Sequence, residues 1–79
     1  MKSREKDDEI FLQLLGNRIA SFRKEKHITQ IELGYRCDIE RGNMRRIEAG
    51  NTNPTALTLK KIAAGLGITL AELVDVTAP

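Results

Sequence analysis

Thr29-Gln30-Ile31-Glu32-Leu33-Gly34-Tyr35-Arg36-Cys37-Asp38-Ile39-Glu40-Arg41-Gly42-Asn43-Met44-Arg45-Arg46-Ile47-Glu48-Ala49-Gly50 reads as two short helices around a sharp turn. Thr29 with Glu32 three residues later is a capping box: the hydroxyl caps the first turn and the carboxylate reaches back to the cap amide. A helix therefore starts near Gln30. It runs only to Arg36 or Cys37, because Asp38 tolerates a left-handed backbone and Ile39 is a single apolar plug before charge resumes. From Glu40 or Arg41, Met44 and Ile47 mark the buried side of the next helix. Gly50 stops it, with the breaker run Asn51-Thr52-Asn53-Pro54 behind.

Outward from this pair, the apolar spacing stays helical. Phe11, Leu15, Ile19 and Phe22 form one stripe of a helix from about Asp8 to Lys26, and Asp7, Asp8 and Glu9 at its start suit the helix dipole. Thr55 caps a fourth helix carrying Leu57, Leu59, Ile62, Ala63 and Leu66, which ends at Gly67. Thr69-Leu70-Ala71-Glu72 is a second capping box, opening a short fifth helix through about Asp75. With three aromatics and scattered β-branched residues, the chain reads as all-α, five compact helices without repeat or linker.

The 79 residues suffice for one domain, taken as 1–79, and a chain of this size buries only about 60% of its unfolded surface. A deep cleft between domains, a sensor domain and a small-molecule ligand are not expected in this length. Cys37 is the single cysteine, so no internal disulfide is available. The longest uncharged stretch, Ile62 to Ala71, is broken by two glycines and falls far short of the roughly 20 residues of a membrane helix. The N-terminal Met-Lys-Ser-Arg-Glu-Lys-Asp-Asp-Glu has no apolar signal core behind it, and a cytoplasmic location is expected.

Net charge is only +2, but residues 1–17 carry −1, residues 62–79 carry −2 and residues 18–61 carry +5. Concentrated positive charge is the footprint of nucleic-acid binding, although a charge run is more often a solvated helix face. Catalysis is not supported. Cys37 shares the apolar side of its helix with Leu33, and His27 is a loop residue. One cysteine and one histidine make no structural zinc site, and neither a phosphate loop nor a carboxylate pair is present. No enzyme activity, cofactor or metal is expected.

The central helix pair has the dimensions of a helix-turn-helix, whose second helix enters the DNA major groove, although many all-α proteins contain such a pair structurally. Arg41, Arg45 and Arg46 project away from the Met44 and Ile47 side. A guanidinium fork matches the O6 and N7 acceptors of guanine.

The ordered set Ile28-Thr29-Gln30-x-Glu32-Leu33-Gly34, Ile39, Ile47-Glu48-x-Gly50, Asn53-Pro54-Thr55 and Leu59-x-x-Ile62-Ala63-x-x-Leu66-Gly67-Ile68 resembles the Xre family, the lambda-repressor-like helix-turn-helix domains. The match covers about residues 15–74, with 1–11 as an N-terminal extension. It implies a five-helix domain that binds double-stranded DNA as a homodimer on a palindromic operator and regulates transcription, as repressors do. Carried over by position, Arg41 and Gly42 are the first base-reading positions of a recognition helix at about 41–49, and Arg46 is a third on the same face. Beside it, and not carried over from the family, Arg45 is read as contacting a phosphate or a base, or as simply solvated. Gln30 contacts the DNA backbone and braces the recognition helix, and Asn51, Thr52 and Asn53 fall at backbone-contacting positions; Asn43, read from the residues alone, is a phosphate contact, an adenine contact or a plain helix-surface residue. Arg23 and Glu48 match a structural ion pair.

Three residues depart from the pattern. Asp38 stands where a turn glycine is common, Glu40 replaces the usual Ser or Thr cap, and Gly42 gives up a side chain at a reading position. Near the C-terminus, Leu70, Leu73, Val74 and Val76 offer more apolar surface than one short helix hides, and are the expected dimer interface; the rival reading has them close the monomer core. A different class of function, a protein-interaction adaptor or antitoxin-type module on the same scaffold, is disfavoured by the three arginines.

Overall fold

Residues 5–76 are described by a computed structural model of the chain. Five helices follow in order: α1 (Lys6–Glu25), α2 (Gln30–Cys37), α3 (Arg41–Ala49), α4 (Ala56–Leu66) and α5 (Leu70–Leu73). Most of their ends are set by short-range chemistry. Thr29 caps α2 by accepting from the Glu32 amide at 3.1 Å, but the Glu32 carboxylate does not reach back and instead faces Arg36 at 3.7 Å. Only half of the expected capping box forms there. At Thr69 and Glu72 the box is complete, and Thr55 caps α4 through the Thr58 amide. Asp38 (φ 56°), Gly50 (φ 76°) and Gly67 (φ 72°) terminate α2, α3 and α4 in the left-handed conformation. The fifth helix is shorter than expected, ending at Leu73.

Helix α1 carries Asp7, Asp8 and Glu9 in its first turn and Arg23 and Lys24 in its last, the signs its dipole favours. Residues 6–11 of the expected extension are helical and belong to α1; residues 1–4 lie outside the described residues. The buried line of α1 is Leu12, Leu15, Gly16 and Ile19, rather than the stripe beginning at Phe11. Phe11 is exposed, and Phe22 only packs against the edge of the core. The cause lies at Gly16, where a Cβ would run into the backbone carbonyls of Ile47 and Glu48. Close approach of α1 to the end of α3 rotates α1 so that Leu12 faces inward.

The core joins Leu15 and Ile19 of α1, Ile28, Leu33 and Cys37 around α2, Met44 and Ile47 of α3, Ile62, Ala63 and Leu66 of α4, and Leu73 of α5. Each fully buried Leu or Ile contributes about 1.5–3 kcal/mol relative to exposure. Cys37 is a buried core residue, and burial pushes its thiol pKa up against the opposing effect of nearby Arg36. Leu57 points outward from α4. Leu73, expected at the dimer interface, is instead fully buried at 0% exposure within its own protomer, because the short α5 packs this one side chain under α1 and α4. Among the described residues, no helix is long and apolar enough to cross a membrane.

Candidate nucleic-acid interface

Helix α3 divides cleanly into two faces. Met44, Ile47 and Glu48 are buried, whereas Arg41, Arg45 and Arg46 are exposed; Gly42 and Asn43 are half-buried between them. The ion pairs among the described residues are Arg23–Glu48 and Arg36–Glu32, and the three arginines of α3 belong to neither. Their side chains stand exposed on a rigid element.

That rigidity comes from Glu48. Arg23 donates from Nε to Glu48 Oε2 at 2.7 Å and from Nη2 to Oε1 at 2.9 Å, a bidentate fork. The Arg23 Nη1 donates to the Ile28 carbonyl at 2.9 Å, so the guanidinium is committed on every nitrogen. Gln30 Nε2 donates to Glu48 Oε1 at 2.9 Å. One buried carboxylate thus ties α1, the start of α2 and α3 into a fixed geometry. Gln30 keeps one amide N–H and its carbonyl oxygen for another partner. An open cleft lined by Arg23, Thr29, Gln30, Ile31, Arg41 and Arg45 runs between α2 and α3, bringing the amide of Gln30 and two α3 arginines to one surface.

Asn51 and Asn53 are exposed and Thr52 half-buried in the link from α3 to α4, with the Asn51 amide donating to the Arg46 carbonyl at 2.9 Å. Other basic residues have different employment. Arg18 donates to the Glu72 carbonyl at 2.7 Å and lies over the Phe22 ring at 4.9 Å, tying α1 to α5. Leu70 and Val74 are exposed at 40% and 36%, and Val76 is half-buried; these three, without Leu73, remain at the surface.

One residue that departs from the family pattern keeps the role of the residue it replaces. Glu40 caps α3, Oε1 accepting from the Gly42 amide at 2.8 Å and Oε2 from the Asn43 amide at 3.2 Å. Glutamate is not among the favoured caps, yet it caps the helix at the position where the family pattern has Ser or Thr. These amide bonds, the Gly42 one foremost, hold its carboxyl below the ordinary glutamate range, with Arg46 and Arg41 adding to the effect.

The helix-turn-helix family matches residues 19–73. The chain is 42% identical over 59 residues to control protein C.MunI of a Mycoplasma species, spanning 73% of this chain and 80% of that protein. It is 37% identical over 65 residues to y4dJ of Sinorhizobium fredii, an uncharacterized HTH-type transcriptional regulator, spanning 82% and 84%. Among solved structures, the restriction-modification controller protein C.AhdI of Aeromonas hydrophila is similar with a TM-score of 0.78 at 27% identity, covering 78% of this chain and 94% of that one.

Proposed function

Because this chain belongs to the Xre-like helix-turn-helix family of DNA-binding transcriptional regulators, we propose that it reads duplex DNA sequence-specifically as a homodimer on a palindromic operator, as a cytoplasmic repressor or controller. The observation that carries this reading is the free arginine face of α3, held by the buried Glu48 network. Helix α3 enters the major groove, where Arg41 and Arg46 read guanine through bidentate hydrogen bonds and Gly42 admits the DNA closely; Arg45 takes a base or an adjacent phosphate. Gln30, Asn43, Asn51, Thr52 and Asn53 hold the phosphate backbone, setting register without reading sequence. The similarity to the control protein C.MunI and the restriction-modification controller C.AhdI supports a regulator of the controller type.

A homodimer places two recognition helices in successive major grooves about 34 Å apart, so half-sites are centred about 10 base pairs apart or a multiple of that. The body measures 34 × 23 × 19 Å, a size compatible with two copies side by side at that spacing. Leu70, Val74 and Val76 supply the apolar contact between them. The test is Arg46→Ala: affinity for the specific duplex falls by about 1–3 kcal/mol with discrimination relaxed at one base pair per half-site, while Gln30→Ala weakens specific and scrambled duplexes alike. Unchanged affinity and preference in Arg46→Ala would remove α3 from the reading role and favour an adaptor on this scaffold.

A further inference from the structure

Glu40 places an anionic group at the very end of the helix read here as entering a polyanion's groove. Its two oxygens accept from the Gly42 and Asn43 amides at 2.8 and 3.2 Å, so the carboxylate is fixed rather than free to swing aside. Those amides, which a helix start ordinarily offers to phosphate, are thereby occupied. A carboxylate accepts about four hydrogen bonds, and two are used. The side chain is exposed, so the remaining acceptor capacity is open to solvent.

Gly42 completes the arrangement. A Cβ at position 42 would lie 2.9 Å from Glu40 Oε1, 3.4 Å from Oε2 and 3.6 Å from Arg46 Nη1. Glycine is a poor helix former, and here it leaves open the space between the Glu40 carboxylate and the Arg46 guanidinium, which form no ion pair. One end of α3 therefore presents a fixed acceptor next to a donor fork.

We propose that Glu40 is a specificity-determining residue whose fixed carboxylate accepts from the exocyclic amine of a cytosine in each half-site, with Gly42 keeping the room it needs. Cytosine alone fits without conflict. Its groove edge offers the N4 donor and no acceptor, whereas thymine O4 and guanine O6 and N7 repel a carboxylate, and adenine sets N7 beside its N6 donor. The proposal rests on the reading of α3 as the groove helix. It adds to the arginines an acceptor position that rejects wrong bases by unpaired like-for-like contact.

The experiment is selection of bound duplexes from a random library with the wild type, Glu40→Ser, Glu40→Gln and Gly42→Ala, with circular dichroism melts on each. The wild type is expected to enrich a half-site with cytosine at one position. Glu40→Ser keeps a favoured cap, melts with the wild type and loses roughly fivefold or more of its discrimination at that position only. Glu40→Gln shifts the same position toward adenine, whose N6 and N7 suit an amide. Gly42→Ala pushes the carboxylate aside and relaxes that position too. Identical half-sites in the wild type and both folded Glu40 variants would reduce Glu40 to a helix cap and overturn the proposal while leaving α3 as the reader. No enriched sequence with the wild type would overturn the parent reading and this proposal together.

Discussion

Glu48 is the one charged residue buried among the described residues, at 8% exposure, and it is spared an unpaired charge only because Arg23 and Gln30 together supply three N–H donors. The pair is poor evidence of net stability, since desolvating two charges offsets most of their attraction, but breaking it leaves a guanidinium buried and uncompensated. Glu48→Ala should therefore destabilise the domain by about 3–5 kcal/mol in urea unfolding, and Arg23→Met with Glu48→Leu should recover most of that loss. A cost below about 1 kcal/mol would mean the carboxylate is effectively solvated and does not fix α3. Leu73 is the contrasting case. It was expected at the surface between protomers, but a charge placed there would unfold the core instead of separating two copies.

At the scale of elements, what was legible in the sequence was what short-range chemistry controls. Thr29, Thr55 and Thr69 start helices and Asp38, Gly50 and Gly67 stop them, because caps and left-handed terminators act within three or four residues. The rotation of α1 was not legible, since Phe11, Leu12, Leu14 and Leu15 put apolar groups on both edges of the possible stripe. A backbone approach at Gly16 to residues more than 30 positions away decided it. Thr29 and Glu32 show the same limit on a smaller scale: the pattern for a full capping box was present, but Arg36 one turn on faces the carboxylate instead. At the candidate site, periodicity separated Met44 and Ile47 from the arginines of α3. Periodicity is silent on Arg23 and Glu48, 25 residues apart, which were paired only through family resemblance. The cap position of Glu40 was legible from the family pattern, but its two amide bonds were not, because its carboxylate does by reach what serine does by position.

At the scale of the whole molecule, one nine-residue helix contacts too few base pairs to be selective on its own, so the account depends on doubling the site. Exposed Leu70 and Val74, continuing to half-buried Val76, are the surface assigned to that contact. Leu70→Glu with Val74→Glu should leave the helical spectrum intact and give a monomer in sedimentation at concentrations where the wild type is dimeric. A dimer that survives both substitutions would place the contact elsewhere. The positive middle of the chain is only partly available to DNA, because Arg18 and Arg23 are engaged in holding helices together while Arg41, Arg45 and Arg46 are not. The most direct test of the central claim is selection of bound duplexes from a random library by the wild-type protein near physiological salt. The account predicts an enriched palindrome with half-sites about 10 base pairs apart or a multiple of that. A folded protein that enriches no sequence would contradict it.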